Sequence, residues 1–363
     1  MVPSGTDDER KGSRVAASLV VEFAAARAGR AHRLRCRSGS AVALTRAMLF
    51  GDVLDRFHVR APLARGGMGE LWLADDDERH DVVLKTIRPD LVEDVEVRRC
   101  FRREIAVTAR LRHAHIVRHI AHGRWCGLDV LALEHIRGVN LAEILSCTAL
   151  PLGSALCVAE DIARALAYLH SLKDERGLPL GFVHGDLSPQ NILIDEVGQA
   201  HLIDFGGVLI RGVPACPESI VCKPGYASPE QMRGGAIDGR SDQYALGIVL
   251  WEMLVGRELF EGDGARRNRP IPPVSSRVSV PFAVDATVIR MLAYEEGARF
   301  ANTGEVADAL AAVTWAHGPH ESRGWLTARA QEPITLEGDA IVEGDEETRP
   351  MRRPEPAGWA TRR

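Results

Sequence analysis

The stretch HGDLSPQN at residues 184–191, followed by DFG at 204–206, decides how the rest of the chain is interpreted. Asp186 and Asp204 supply carboxylates, and Asn191 supplies an amide oxygen. Mg²⁺ prefers oxygen ligands, takes only one or two protein carboxylates and keeps phosphate oxygens and water. The ordered set therefore predicts a base and a divalent-cation site, whereas an isolated DFG often marks a simple turn.

A glycine cluster lies upstream of this set, in a segment whose alternating apolar residues predict a β-hairpin over 57–74. Gly66, Gly67 and Gly69 lack a Cβ, so their backbone N–H groups can approach anionic oxygens closely. Two predicted strands flank the cluster, which disfavours a Rossmann or Walker loop. On this pattern alone, a phosphate-binding loop and a plain glycine-rich turn both remain open.

Lys85 lies in the β-branched run 82–87, which predicts a strand. A charged side chain in an apolar strand is costly unless it is paired, and Glu104 on the helix predicted over 95–111 is a natural partner. Only four of the 45 basic residues are lysines, so a lysine here indicates a need for a compact ammonium group. A lysine on an edge strand, facing water, is the alternative.

The chain has 363 residues, enough for two domains or one large bilobal domain. Strand patterns predominate in residues 51–137 and helical patterns in 138–315, which predicts a small strand-rich lobe before a larger helical lobe. The residue pattern changes near Met48, and residues 1–50 are expected to be a disordered extension or one that arises from a misassigned start. The tail, 316–363, is rich in Glu, Gly, Pro and Arg and is also expected to be disordered.

Composition excludes several classes of protein. A net charge of −5 argues against a general nucleic-acid binder. The sequence has no run of about 18 apolar residues, so no membrane span is predicted. The apolar run 244–255 is shorter and is better explained as a buried helix. Seven cysteines without a CxxC pair fit reduced thiols in the cytoplasm better than a disulfide framework or a zinc site.

Taken together, these motifs resemble the bacterial eukaryotic-like (Hanks-type) serine/threonine protein kinases over residues 57–315. The resemblance implies an α+β, bilobal fold with a β-rich N-lobe, 51–137, and a mostly α-helical C-lobe, 138–315. The matching positions, in the family's order, are the glycine loop, Lys85, Glu104, Asp186, Asn191, Asp204, Glu230, Asp242, Gly247 and Arg299.

The same resemblance implies an ATP-dependent enzyme that uses Mg²⁺, with Mn²⁺ as an alternative, and that acts on protein substrates. Lys85 would hold the α- and β-phosphates and be oriented by Glu104, Asp186 would serve as the base, and Asn191 and Asp204 would hold the cation. The implied nucleotide-binding positions are Leu63, Ala64, Gly66, Gly67, Gly69, Leu71, Val83, Lys85, Leu133, Glu134, Ile136 and Leu193. Among these, Leu133 would be the gatekeeper, while Glu134 and Ile136 would offer backbone hydrogen bonds.

The sequence departs from the family pattern beside the base. Ser188 replaces the lysine that normally neutralises the γ-phosphate, and Lys223 stands where most relatives carry a threonine. We hypothesise that the Lys223 ammonium supplies the missing charge and is therefore catalytic; an unrelated surface lysine is the alternative. Ala64 also replaces the first glycine of the loop, which predicts a somewhat weaker affinity for ATP.

Three functions remain open at this point. An active serine/threonine protein kinase is favoured because the family's catalytic residues are present. A pseudokinase that acts as an interaction module is supported by Ala64, by Ser188 and by the short segment between 260 and 270. A small-molecule phosphotransferase draws on the His-Gly-Asp motif without a following lysine. Thr348, in an acidic stretch of the tail, is a candidate autophosphorylation site for a phosphothreonine-binding partner.

Overall fold

The computed structural model describes residues 56–331 except 126–127, 211–212, 214–222, 261–269 and 317–318. The expectations for residues 1–50, for Thr348 and for the tail beyond 331 lie outside the described residues. Within the described part, a small lobe rich in strands precedes a larger helical lobe, as expected for an α+β bilobal chain.

The smaller lobe is built on a five-stranded antiparallel sheet. Its strands, in spatial order, are β1 (Phe57–Arg65), β2 (Gly69–Asp76), β3 (Asp81–Ile87), β5 (Leu128–Glu134) and β4 (His119–Trp125). β1 and β2 form the hairpin expected around the glycine cluster. β4 begins only at His119, because Ile116 and Val117 pair with Leu202 of the larger lobe.

Strand β3 alternates between two apolar layers, as the period of two in a strand requires. Val82 and Leu84 belong to a small outer cluster, whereas Val83 and Ile87 belong to the main core. Lys85 shares the parity of Val83 and Ile87, so its side chain lies on the core side of the sheet. That side is covered by helix α1 (Val95–Thr108), which begins after the N-cap residue Asp94.

The larger lobe is predominantly helical. Its helices are α2 (Leu141–Cys147), α3 (Leu152–Ser171), α4 (Pro229–Arg233), α5 (Gly239–Val255), α6 (Phe282–Met291), α7 (Thr303–Ala316) and α8 (Pro319–Gln331). Helix α3 is central, since α5, α7 and α8 all pack against it. No helix among the described residues is long and apolar enough to cross a membrane.

Helix α5 confirms the buried helix expected at 244–255 and begins five residues earlier. It starts after Asp238, whose side chain accepts a hydrogen bond from the amide of Arg240. Tyr244 and Trp251 are among the largest fully buried side chains. A helix that is apolar on all sides is stable only inside a core, and α5 lies there.

Two small sheets carry the polar motifs of the larger lobe. β6 (Gly138–Asn140), β8 (Ile192–Asp195) and β9 (Ala200–Leu202) form an antiparallel sheet in that order. β7 (Phe182–Val183) pairs with β10 (Leu209–Ile210). Asn191 directly precedes β8 and Asp204 follows β9, so the β8–β9 hairpin places the two predicted cation ligands at its open end.

The expectation of a disordered tail is wrong for residues 319–331. Helix α8 lies within the tail expected to be disordered, and it packs against α3 and β8. Leu326 of α8 is fully buried, and Arg323 pairs with Asp161 of α3 at 2.8 Å. A weakly apolar sequence can still form a helix when tertiary contacts hold it in place.

Candidate active site

Lys85 makes two ion pairs, and the one with Asp204 joins the two lobes. Its Nζ lies 2.6 Å from Oε1 of Glu104 on α1 and 2.9 Å from Oδ1 of Asp204 after β9. The Lys85 side chain is mostly buried and that of Glu104 is buried. The two carboxylate partners offset the cost of placing a lysine in an apolar strand. The alternative of an edge-strand lysine facing water is therefore wrong.

These ion pairs set the charge of the three groups. Burial opposes the charge of Lys85, but the attraction of Asp204 and Glu104 outweighs it and raises the pKa of Lys85. Burial raises the pKa of Glu104 to about 7, against the attraction of Lys85. The pKa of Asp204 is lowered, because the charge of Lys85 and the Gly206 amide outweigh the effect of burial. Near pH 7 the ammonium and the Asp204 carboxylate are both charged.

Asp204 adopts a left-handed backbone conformation, with φ of +61°, that is uncommon for a residue with a side chain. Its Oδ1 accepts hydrogen bonds from the Gly206 amide at 2.9 Å and from Lys85. Such conformations cost about 1–3 kcal/mol and persist where the surrounding contacts enforce them, often at functional sites. The contacts of Asp204 thus fix a carboxylate at the cleft between the lobes.

Asp186 and Asn191 lie together beside this carboxylate. Asn191 Nδ2 donates to the Asp186 carbonyl at 2.7 Å and to its Oδ2 at 3.2 Å. Burial raises the pKa of Asp186, while the charges of His184 and Lys223 act in the opposite direction. Because its Nδ2 is committed to Asp186, the Asn191 amide leaves its oxygen available to a cation.

Asp242 of α5 holds the loop that carries Asp186. Asp242 accepts hydrogen bonds from the amides of His184 and Gly185 at 2.8 and 2.9 Å. Gly185 has a φ of +78°, and a Cβ there would lie 2.9 Å from the carbonyl oxygen of Gly207. Glycine is therefore the residue best suited to this turn.

A second buried ion pair braces the larger lobe behind the loop. Arg299 and Glu230 are joined by two hydrogen bonds of 2.7 and 2.9 Å, and both side chains are almost fully buried. The two-pronged geometry is the strongest form of such a pair. Both residues are among the positions that carry the family resemblance.

Ser188 and Lys223 approach the base from different elements. The backbone amide of Lys223 lies 3.4 Å from Oδ1 of Asp186, and Lys223 lines the same cleft as Asp186 and Asp204. The Ser188 hydroxyl is buried and has no hydrogen-bond partner among the described residues. Lys223, the residue predicted to supply the charge that Ser188 lacks, therefore lies beside Asp186.

The cleft has a cavity volume of about 740 Å³ between the glycine loop, α1 and the Asp186 loop. The predicted residues that line it are Ala64, Gly66, Gly67, Gly69, Leu71, Lys85, Glu104, Asp186, Asp204 and Lys223. Those that do not line it are Leu63, Val83, Leu133, Glu134, Ile136, Asn191 and Leu193. The cavity therefore corresponds to the phosphate end of the predicted nucleotide site.

Three of the residues predicted to contact the adenine lie on three different strands. Val83 and Leu133 are directly paired neighbours on β3 and β5, whereas Leu63 on β1 is about half exposed. The Glu134 amide donates to the Arg118 carbonyl at 3.0 Å, so this N–H group is not available to a nucleotide.

Sequence reasoning missed Arg88 and several residues that line the cleft, Cys100 among them. Arg88 donates from Nη1 to the Gly67 carbonyl at 3.0 Å and thereby fixes the tip of the glycine loop. Cys100 lines the cleft one turn before Glu104. Cys147 and Cys157 are free. In the sequence, only the closeness of Arg88 to Lys85 indicated a role for Arg88.

The oxygen ligands fit Mg²⁺ better than a metal held by protein alone. Among the described residues, no cluster of three or more His, Cys, Asp or Glu side chains could hold a metal ion. Asp204 and Asn191 offer one carboxylate and one amide oxygen, which matches the small protein share of a Mg²⁺ shell completed by phosphate and water.

Comparisons with known proteins agree with this geometry. The sequence profile of the protein kinase domain matches residues 57–277. Serine/threonine-protein kinase PknB of Mycolicibacterium smegmatis is 30% identical over 329 residues, which are 85% of this chain and 51% of that protein. Tyrosine-protein kinase MasK of Myxococcus xanthus is 32% identical over 266 residues, which are 68% of this chain and 41% of that protein.

A solved structure shares the fold as well as the sequence pattern. The PknI kinase domain of Mycobacterium tuberculosis superposes with a TM-score of 0.55 at 28% identity, covering 70% of this chain and 95% of that one. The chain spans about half the length, or less, of the curated relatives described above.

Proposed function

The chain belongs to the protein kinase domain family, and from that membership we propose that it transfers the γ-phosphate of Mg-ATP to serine or threonine hydroxyls of protein substrates. The observation that carries the proposal is the pairing of Lys85 with both Glu104 and Asp204. This pairing closes the two lobes on a cleft that contains Asp186. The need for ATP favours a location in the cytoplasm.

Each residue of the cleft has a chemical task. Lys85, held by Glu104, presents its ammonium group to the α- and β-phosphates. Asp204 and Asn191 supply oxygen ligands to Mg²⁺, or to Mn²⁺ in its place. Bound Mg²⁺ neutralises phosphate charge, which is the main requirement of phosphoryl transfer. The glycine loop, fixed by Arg88, covers the phosphates with backbone N–H groups.

Asp186 is positioned to act on the acceptor. Its carboxylate orients the substrate hydroxyl and takes its proton as the hydroxyl oxygen bonds to the γ-phosphorus, while the bond from that phosphorus to the bridging β,γ-oxygen breaks and ADP leaves. Because burial raises the pKa of Asp186, its carboxylate is a stronger base than one in water. Asn191 holds the same carboxylate through Nδ2 and so fixes its direction.

We assign the γ-phosphate charge partner to Lys223. Ser188 offers only a neutral hydroxyl, whereas charge-assisted hydrogen bonds are about twice as strong as neutral ones. Lys223 is the one lysine besides Lys85 in the lining of the cleft. Its proximity to Asp186 supports this role over that of an unrelated surface lysine.

Incubation of the full chain with γ-labelled ATP, Mg²⁺ and a generic protein substrate tests the proposal. We expect label on serine or threonine of the protein. Label on tyrosine alone would overturn the acceptor assignment. Label only on small aminoglycoside or alcohol acceptors would favour a small-molecule phosphotransferase. Nucleotide binding without transfer would favour a pseudokinase.

The tail offers a separate proposal about partners. Thr348 follows the acidic run Asp345-Glu346-Glu347 and is proposed as an autophosphorylation site read by a phosphothreonine-binding partner. Mass spectrometry of the protein after incubation with Mg-ATP tests it. Phosphate at Thr348 supports the proposal, and its absence from an autophosphorylated sample contradicts it.

A further inference from the structure

Helix α8 lies outside the part of the chain that matches the kinase family, yet it is packed on the back of the larger lobe. Ser154 of α3 donates a buried hydrogen bond to the Ser322 carbonyl at 2.8 Å. At the other end of α8, Gln331 donates to the carbonyl of Glu196 at 3.1 Å. The helix is therefore attached both to α3 and to the turn of the β8–β9 hairpin.

Arg323 makes the central contact of this helix. Its Nη1 and Nη2 lie 2.9 and 2.8 Å from the two carboxylate oxygens of Asp161, which is 3% exposed. Nη1 also donates to the Gly198 carbonyl at 3.1 Å. One guanidinium group thus bridges helix α3 and the hairpin turn.

The hairpin turn is shaped to receive α8. Gly198 has a φ of +77°, and a Cβ there would lie 2.6 Å from the backbone oxygen of Arg323. Leu326, one turn further along α8, is fully buried. The two backbones therefore meet at a distance that only glycine permits, which shows a built contact and not a chance approach.

Asp161 also contacts strand β9. Its Oδ2 accepts a hydrogen bond from the Ala200 amide at 3.0 Å, at the first residue of β9. At the far end of the hairpin, the Ile203 amide donates to the Asn191 carbonyl at 3.0 Å. Asp204 follows directly, so the strand held by Asp161 ends at the two predicted cation ligands.

We propose that Arg323 is a positioning residue, which locks the β8–β9 hairpin through Asp161 and thereby fixes Asn191 relative to Asp204. The proposal deepens the proposed kinase function and rests on it for the catalytic consequence. Its structural part, the coupling of α8 to β9, stands without it. Arg323 contacts Asp161 and Gly198 and does not line the cleft, so it is not a catalytic residue.

Hydrogen exchange of the full-length protein, without nucleotide, tests the coupling. In Arg323→Ala we expect the Ala200 amide and its neighbours in β9 to exchange at least tenfold faster than in the wild type. Arg329→Ala is the matched control: it removes the same charge from the same helix but leaves the contact with Asp161 intact. Equal exchange in the two variants would overturn the proposal.

Arg323→Lys keeps the proposal testable if the alanine variant fails to fold. Lysine retains the charge but cannot make the two-pronged contact with Asp161. We expect the Ala200 amide to exchange at a rate between the rates of the wild type and the alanine variant. Wild-type protection in the folded lysine variant would contradict a role for the guanidinium geometry.

The Mg²⁺ dependence of phosphate transfer separates positioning from mere support. In Arg323→Ala the concentration of Mg²⁺ for half-maximal activity should rise several-fold, less than the about 10–100-fold typical of groups that touch a metal ligand directly. Faster exchange with an unchanged Mg²⁺ requirement would show a structural role only and overturn the positioning. If the wild type transfers no phosphate, the kinase proposal fails, whereas the exchange data still decide the coupling.

Discussion

Lys85 shows how much one residue in this chain can determine. Its position in an apolar strand and the scarcity of lysine pointed to a paired ammonium group, and the structure gives it two carboxylate partners. Glu104 was predictable from its place on the next helix. Proximity to Asp204, 119 residues away, could be inferred only from the family resemblance, since no local pattern joins the two positions.

We predict that Lys85→Arg abolishes phosphate transfer although it keeps the charge. The planar guanidinium does not fit a position where a compact ammonium contacts two carboxylates at 2.6 and 2.9 Å. Loss of one positioned charge typically lowers turnover by about 10²–10³-fold. Lys173→Arg, the same change at an exposed lysine far from the cleft, should leave turnover unchanged. Similar turnover for both variants would contradict the assignment of Lys85.

A double-mutant cycle tests the assignment of the γ-phosphate charge to Lys223. Lys223→Thr should lower turnover by about 10²–10³-fold, because it removes that charge while restoring the residue usual in the family. Adding Ser188→Lys should recover most of the loss, since the charge then returns from the other side. Near-normal turnover in Lys223→Ala, or strict additivity in the cycle, would show that the two positions do not compensate each other.

The acidic limb of the pH profile should reflect the buried carboxylates. Burial raises the pKa of Glu104 to about 7, so lowering the pH through 7 protonates it and removes one of the two partners of Lys85. Burial also raises the pKa of Asp186, so the base loses its charge at a higher pH than an exposed aspartate does. Turnover should therefore fall between pH 8 and pH 6.

The variant Glu104→Gln separates these two groups. Its residual activity should keep only the part of the acidic limb that arises from Asp186, because glutamine does not titrate. An acidic limb of the wild type centred near pH 4, as for ordinary carboxyl groups, would contradict the effect of burial.

At the scale of the elements, regular patterns were the predictable part. The glycine-loop hairpin, strand β3 and the buried helix α5 follow from periodicity and length, and the structure confirms them. Helix α8 escaped prediction because its sequence is polar and its stability comes from contacts made 162 residues away, at Asp161. The left-handed backbone of Asp204 also escaped, since only tertiary contacts enforce it.

Ending the chain at residue 316 should therefore destabilise the protein. The truncation removes α8 and leaves Asp161 buried without its arginine, and breaking such a buried pair typically costs about 3–5 kcal/mol. Urea unfolding of the truncated and full chains measures the difference. A chain ending after Gln331 is the control and should unfold like the full chain. Equal stability of the chain ending at 316 and the full chain would show that α8 contributes nothing.

At the scale of the whole molecule, a single large core runs from the inner face of the β-sheet into the helices of the larger lobe. The cleft lies between elements that this core holds in place: β3 and α1 on one side, and the β8–β9 hairpin and α5 on the other. The bilobal architecture was predictable from the order of strand and helix patterns. The close approach of the lobes at the cleft was not, because the ion pair of Lys85 with Asp204 joins residues 119 positions apart.

The most direct test compares the wild type with Asp186→Asn in one transfer assay with γ-labelled ATP and Mg²⁺. Asparagine keeps the shape of the side chain but cannot take a proton, so the variant should melt at the wild-type temperature. We predict labelled phosphoserine or phosphothreonine with the wild type and a loss of transfer with the variant. Undiminished transfer by Asp186→Asn, or none by a folded wild type that binds ATP, would contradict the assignment of this cleft as a kinase active site.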